Sequence, residues 1–119
     1  MITIYHHPRC SKSRETLAIV EQIAADQHLA LEVIEYQKTP PTLEQLAQLL
    51  QQLGGDIQAM LRNNEEEYAL LGLAHADVAT ALAVVASHPV ILQRPIVSYN
   101  GKAAIGRPPE NVLSLFKKA

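Results

Sequence analysis

The first 36 residues read as strand, helix and strand, and this order restricts the fold more than any other feature of the chain. Residues 2–5 alternate and are β-prone, residues 11–25 carry apolar side chains at helical spacing, and residues 31–36 are again strand-like. Two strands joined in this way are expected to lie parallel, with the helix crossing one face of the sheet. Ligands of such sheets gather beyond the carboxyl ends of the strands, so the segment after Tyr5 is a candidate site.

The end of the chain predicts a β-hairpin followed by a helix. Asn100-Gly101 lies between the strand-like runs 96–99 and 102–105, and Asn-Gly in this setting is a strong hairpin signal. These two strands should therefore be antiparallel. Pro108-Pro109 then opens a last helix, whose apolar side chains at Val112, Leu115 and Phe116 are expected to face inward.

The middle of the chain predicts helices. Thr42 and Gln45 have the spacing of a capping box, and Gly54-Gly55 ends the helix that they begin. Shorter helical pieces are predicted at 57–61, 65–71 and 77–87. The chain thus predicts a helical insert over about 42–88, between a βαβ half and a ββα half.

This order predicts an α/β fold of the thioredoxin or glutaredoxin type, a single domain over residues 1–119 with a four-stranded mixed sheet. In that fold a cis-proline stands beside the active cysteine, and Arg94-Pro95 occupies that place before the third strand. The chain is long enough to form a core without disulfides or a structural metal.

Composition excludes several kinds of function. The net charge of −2, the absence of Trp and the pI near 6.2 argue against a nucleic-acid or anionic-membrane binder. A single cysteine cannot form an intrachain disulfide, and no segment reads as a signal peptide or a membrane span. We therefore expect a soluble protein of the reducing cytoplasm.

Cys10 is the candidate nucleophile, since it falls where the first strand gives way to a helix. Helix amides and nearby basic groups lower a thiol pKa, and His6, Arg9, Lys12 and Arg14 are close in sequence. The plainer alternative is a small buried cysteine of the core. Ser13 stands at the second position of a C-x-x-C pair, where its hydroxyl could bind the thiolate or cap the first turn. His6, His7 and Cys10 do not form a zinc pattern, so no metal is expected.

Three blocks of sequence resemble the glutaredoxin-dependent arsenate reductases, in particular their shorter chromosomal homologues. They are Ile-Thr-Ile-Tyr-His-His-Pro-Arg-Cys-Ser-Lys-Ser-Arg at 2–14, Met-Leu-Arg-Asn-Asn-Glu-Glu-Glu-Tyr at 60–68, and Gln-Arg-Pro-Ile-Val at 93–97 with Gly-Arg-Pro-Pro-Glu at 106–110. The resemblance implies that Cys10 is the nucleophile and that His6 assists it. It places Arg62, Arg94 and Arg107 on the anion-binding arginines, with Ser13, Arg14 and Pro95 in support.

The implied reaction reduces arsenate to arsenite through a thio-arsenate adduct on Cys10. The chain holds no resolving cysteine and no bound cofactor is expected, so glutathione as co-substrate and a glutaredoxin would supply the electrons. His7 departs from the family pattern, since relatives usually carry Asn there.

Two alternatives remain: a thioredoxin-fold module that binds a protein partner, like the Spx-type regulators, and a glutathione-dependent reductase of another substrate. Cys10-Ser11-Lys12-Ser13 excludes a disulfide switch in the regulator.

Overall fold

The computed structural model describes residues 1–117 and divides into two compact units. One unit, here the sheet unit, joins Met1–Thr39 to the chain from Arg94 onward, and the other, the helical unit, is Pro40–Gln93. The single domain expected over residues 1–119 stays a prediction, and its last two residues lie outside the described ones.

The sheet unit contains a four-stranded mixed sheet in the order β2-β1-β3-β4. Its elements are β1 (Ile2–His6), α1 (Ser11–Gln27), β2 (Leu31–Glu35), β3 (Ile96–Tyr99) and β4 (Lys102–Ile105). β1 pairs in parallel with β2, whereas β1 with β3 and β3 with β4 are antiparallel. The predicted thioredoxin-like fold and its strand directions are therefore confirmed.

The turn between β3 and β4 has the backbone that its sequence predicts. Asn100 and Gly101 both have positive φ, 52° and 81°, as a two-residue hairpin turn of type I′ requires. This turn sets the register in which Ile96 faces Ile105 and Tyr99 faces Lys102.

The core of the sheet unit is aliphatic. Its buried members come from β1, α1, β3 and the last helix: Ile2, Ile4, Val20, Ala24, Val97 and Val112. The last helix spans Pro109–Phe116 in 3₁₀ geometry, and Leu115 and Phe116 pack partly buried against this core, as predicted. α1 extends two residues beyond its predicted end and stops at His28, whose φ of 55° is left-handed.

The helical unit contains α2 (Leu43–Gln52), α3 (Glu66–Leu70) and α4 (Val78–Ser87), with 3₁₀ turns at Ile57–Met60, Leu73–His75 and Pro89–Ile91. The predicted capping box is present: Thr42 Oγ1 accepts from the Gln45 amide, and Gln45 Oε1 accepts from the Thr42 amide. α2 packs on α4 around buried side chains that include Leu46, Leu49, Leu82 and Val85. Among the described residues no helix has the length and apolar character needed to cross a membrane.

Candidate active site

Cys10 stands at the start of α1, after a turn that leaves β1. The turn is closed by the Cys10 amide, which donates to the carbonyl oxygen of His7 at 3.0 Å, with Pro8 in the second position, where its fixed φ is favourable. Cys10 is the N-cap residue of α1 and has extended backbone angles. Its side chain is partly exposed, so it is not a cysteine of the core.

Two arginines from the hairpin side of the sheet unit meet at the Cys10 sulfur. Arg107 Nη2 lies 3.6 Å from Sγ, while its Nε donates to the main-chain oxygen of Arg94 at 2.7 Å. The side chain of Arg94 is the second cation that acts on Cys10. The β3–β4 register, continued beyond the strands, places Arg94 opposite Arg107, and the Gly106 amide donates to the Pro95 oxygen between them. Two sequence-distant guanidinium groups thus share one sulfur.

These contacts favour the thiolate form of Cys10. Burial raises the pKa of the thiol, but a hydrogen bond from the Ser13 backbone N–H and the positive charges of Arg94 and Arg107 outweigh it and lower the pKa overall. The result is a partly exposed sulfur that is more acidic than a free thiol.

The Ser13 hydroxyl binds two histidines rather than the sulfur. Its oxygen accepts from the His7 amide at 3.0 Å and lies 2.7 Å from His6 Nδ1. His6 is buried, and this burial, reinforced by Arg14 and only partly opposed by Glu35 and Glu21, lowers the pKa of its ring. His6 is therefore neutral at neutral pH and holds Ser13 in place. The expectation that His6 contributes positive charge to the site is thus not supported.

The remaining site residues of the sheet unit support the turn and the hairpin. Arg14 is exposed and donates from Nη1 to the Pro8 oxygen at 3.0 Å, so it braces the turn. Pro95 is buried, and the Arg94–Pro95 peptide bond is cis, as the fold predicted. The Arg107–Pro108 bond is cis as well.

Arg62, the third predicted anion-binding arginine, belongs to the helical unit. Its backbone N–H donates to the Ile91 oxygen at 2.7 Å, next to the isolated bridge between Leu61 and Leu92. Its side chain is only 11% exposed and its Nε lies 3.1 Å from Glu65 Oε1. The role of Arg62 toward an anion stays a prediction.

Sequence reasoning missed two residues of this site. Gly106 fits against Thr16 and Pro95 so closely that a Cβ there would lie 2.5 Å from Thr16 Oγ1 and 2.8 Å from Pro95 Cγ. Tyr36, directly after β2, is fully buried and acts electrostatically on the Arg94 side chain. The only signal for Gly106 was its place directly before Arg107, and Tyr36 carried none.

A cavity of about 380 Å³ opens beside the turn that precedes Cys10. It is lined by His6, His7, Pro8, Arg9, Glu35, Gln37 and Lys38. Within residues 1–117, no group of three or more His, Cys, Asp or Glu side chains is placed to hold a metal ion. The chemistry that the described residues offer is a thiolate beside two guanidinium groups, which suits attack on a bound oxyanion.

A thioredoxin-like sheet with one activated thiol at the start of its first helix defines a class of thiol-dependent oxidoreductases. The chain belongs to the ArsC family, whose model matches residues 5–115. It is 43% identical over 114 residues to the arsenate reductase of Neisseria meningitidis, covering 93% of this chain and 94% of that protein.

Two further relatives extend the comparison. An uncharacterized protein of Escherichia coli, YfgD, is 40% identical over 117 residues, with 96% and 95% of the two chains covered. The solved structure of the arsenate reductase from Vibrio cholerae superposes with a TM-score of 0.86 at 46% identity and covers 96% of each chain. The family predicted from the three sequence blocks is thus confirmed.

Proposed function

We propose that this protein is an arsenate reductase that uses Cys10 as its nucleophile. The observation that carries the proposal is the placement of Arg94 and Arg107 on the sulfur of an acidified thiol. A guanidinium presents parallel donors that match a tetrahedral oxyanion, so the two arginines that stabilise the thiolate can also bind arsenate next to it. The names of the family's relatives support this choice of oxyanion.

The first step forms a sulfur–arsenic bond. The Cys10 thiolate attacks arsenic(V), one arsenate oxygen leaves as water after protonation, and a thio-arsenate adduct remains on the enzyme. Arg94 and Arg107, which stabilised the negative charge of the thiolate, then stabilise the negative charge of the oxygens that remain on arsenic. No electrons are transferred in this step.

Reduction then requires two external thiols, since Cys10 is the only cysteine of the chain. We assign these to glutathione, whose sulfur bonds to the arsenic of the adduct as a second arsenate oxygen leaves as water, and to a glutaredoxin, whose thiolate then attacks the glutathione sulfur. The two thiols leave as a mixed disulfide, and their two electrons reduce arsenic(V) to arsenic(III). Hydrolysis releases arsenite and returns Cys10 as a thiolate. The dependence on reduced thiols suits a cytoplasmic enzyme.

A coupled assay tests the activity. NADPH oxidation is followed with arsenate, glutathione, glutaredoxin and glutathione reductase, with wild type, Cys10→Ser and Ser11→Ala compared. Ser11 is the exposed neighbour of Cys10 on α1, so Ser11→Ala controls for substitution at the helix start. We expect arsenate-dependent turnover in wild type and Ser11→Ala and none in Cys10→Ser. Turnover in Cys10→Ser, or none in wild type with any thiol system, rejects the proposal, and the second result favours the partner-binding module.

The role of Arg62 is tested in the same assay. Arg62→Ala should raise the KM for arsenate while leaving the alkylation rate of Cys10 unchanged, because Arg62 is proposed to bind only the anion, whereas Arg94 and Arg107 also stabilise the thiolate. An unchanged KM would remove Arg62 from the oxyanion site.

A further inference from the structure

His7 is held by three hydrogen bonds that all act on the turn before Cys10. Its amide donates to Ser13 Oγ at 3.0 Å, its carbonyl oxygen accepts from the Cys10 amide at 3.0 Å, and its ring Nδ1 accepts from the Arg9 amide at 3.1 Å. The first two bonds use only the backbone of His7. The third depends on the identity of the side chain.

The ring bond has the pattern of an Asx turn. In that turn the side-chain oxygen of Asn or Asp accepts from the backbone N–H two residues later, and here an imidazole nitrogen takes the place of that oxygen. Because a backbone N–H can only donate, Nδ1 must be unprotonated and the ring must be the neutral Nε2–H tautomer. An imidazolium has no acceptor and would face the Arg9 amide donor with a second donor.

The surroundings keep the ring neutral at neutral pH. Burial lowers the pKa of His7 below its ordinary value of 6.5, and the positive charge of Arg94 adds to this effect. The Tyr36 ring contacts the imidazole at 6.4 Å between centroids and 63° between planes. The titratable or charged groups around the His7 ring are Arg94, Arg9, His6, Tyr36, Glu35 and Lys38. Glu35 and Lys38 line the 380 Å³ cavity to which His7 also contributes.

We propose that His7 is a positioning residue for Cys10: its neutral imidazole holds the turn of residues 7–10 through the Arg9 amide and so fixes the sulfur beside its two arginines. The proposal rests on the proposed function only in naming Cys10 as the reactive group. Protonation of His7 breaks the ring bond and loosens the turn, although the added positive charge by itself would favour a thiolate. With His7 at this position, the geometry of the nucleophile therefore depends on pH. An Asn side chain would also accept from the Arg9 amide, but it does not titrate, so the geometry would then not change with pH.

The test compares wild type with His7→Asn, which keeps the acceptor, and His7→Leu, which removes it. The first measurement is the rate of Cys10 alkylation by iodoacetamide at neutral pH, which involves no arsenate. His7→Asn should react within about twofold of wild type, and His7→Leu about fivefold more slowly, as the loss of one hydrogen bond implies. The second measurement follows the Arg9 amide by ¹⁵N NMR against pH. It should titrate below pH 6.5 in wild type and show no such step in His7→Asn.

Equal alkylation of His7→Leu and wild type would overturn the proposal, as would a His7→Asn protein as slow as His7→Leu. A wild-type Arg9 amide that does not titrate would also overturn it, and this readout decides the matter even if His7→Leu fails to fold. Absence of arsenate turnover in wild type, with the order of the three alkylation rates intact, would reject the proposed function and leave the role of His7 standing.

Discussion

The side chain of Arg107 is fixed to the main chain of Arg94: Nε donates a 2.7 Å hydrogen bond to the Arg94 carbonyl oxygen while Nη2 of the same guanidinium lies 3.6 Å from the Cys10 sulfur. One planar group thus uses two nitrogens for two tasks, anchoring and charge stabilisation. A flexible ammonium cannot satisfy both positions at once.

Arg107→Lys should therefore impair the site although it keeps the charge. We expect kcat/KM for arsenate to fall by about tenfold, which corresponds to the loss of one hydrogen bond to a charged group. The pKa of Cys10, measured by alkylation against pH, should rise. Lys102→Ala removes an exposed cation at the hairpin turn and is the control that should change neither value. Full activity in Arg107→Lys would contradict the conclusion that Arg107 must contact the Arg94 oxygen and the Cys10 sulfur at the same time.

Gly106→Ala should destabilise the protein because its Cβ would overlap Thr16 and Pro95. Overpacking of this kind costs about 1–3 kcal/mol, which urea denaturation can measure. Thr16→Ala removes two of the three close contacts, so the double variant should lose less than the sum of the two single losses. Strict additivity would show that the crowding at Thr16 is relieved elsewhere.

Ser13→Ala should lower the free energy of unfolding by about 1–3 kcal/mol, because His6 Nδ1 and the His7 amide both lose their partner in a buried place. Ser11→Ala is the matched control, since Ser11 is exposed on the same helical turn and should cost little. Differential scanning calorimetry of the two variants measures the contrast. Equal Tm values for them would contradict the bridging role of Ser13.

The acidified thiol should make stability depend on pH. Because the pKa of Cys10 is lower in the folded protein than its ordinary value of 9.0, the unfolded chain binds more protons between the two values. The contribution is complete above pH 9.0 and is lost as pH falls through the folded value. The Tm difference between wild type and Cys10→Ser should therefore grow as pH is raised from neutral toward 9.0. A pH-independent difference would contradict the favoured thiolate.

The elements that the sequence predicted correctly are those with local causes. Thr42 with Gln45 and Asn100 with Gly101 act within a few residues, so spacing and backbone preference were enough. The cis bond at Arg94–Pro95 followed from the fold rather than from its own neighbours.

Features of the site that arise only from tertiary packing were not predictable. The sequence left two roles open for the Ser13 hydroxyl, binding the thiolate or capping the first turn, and only the arrival of the end of β1 beside α1 directs it to the two histidines. The neutral state of His6 follows from burial, which no sequence neighbour reports. The fit of Gly106 against Thr16 joins residues ninety positions apart in the chain.

The β3–β4 hairpin carries an arginine just beyond each of its two open ends, and its closed end is the exposed Asn100–Gly101 turn. An insertion of one residue in that turn would shift the register of β4 against β3 by one residue. Arg94 and Arg107 would then no longer lie opposite each other. Members of the family that keep this chemistry should therefore conserve the length of the segment from 94 to 107 more strictly than its composition.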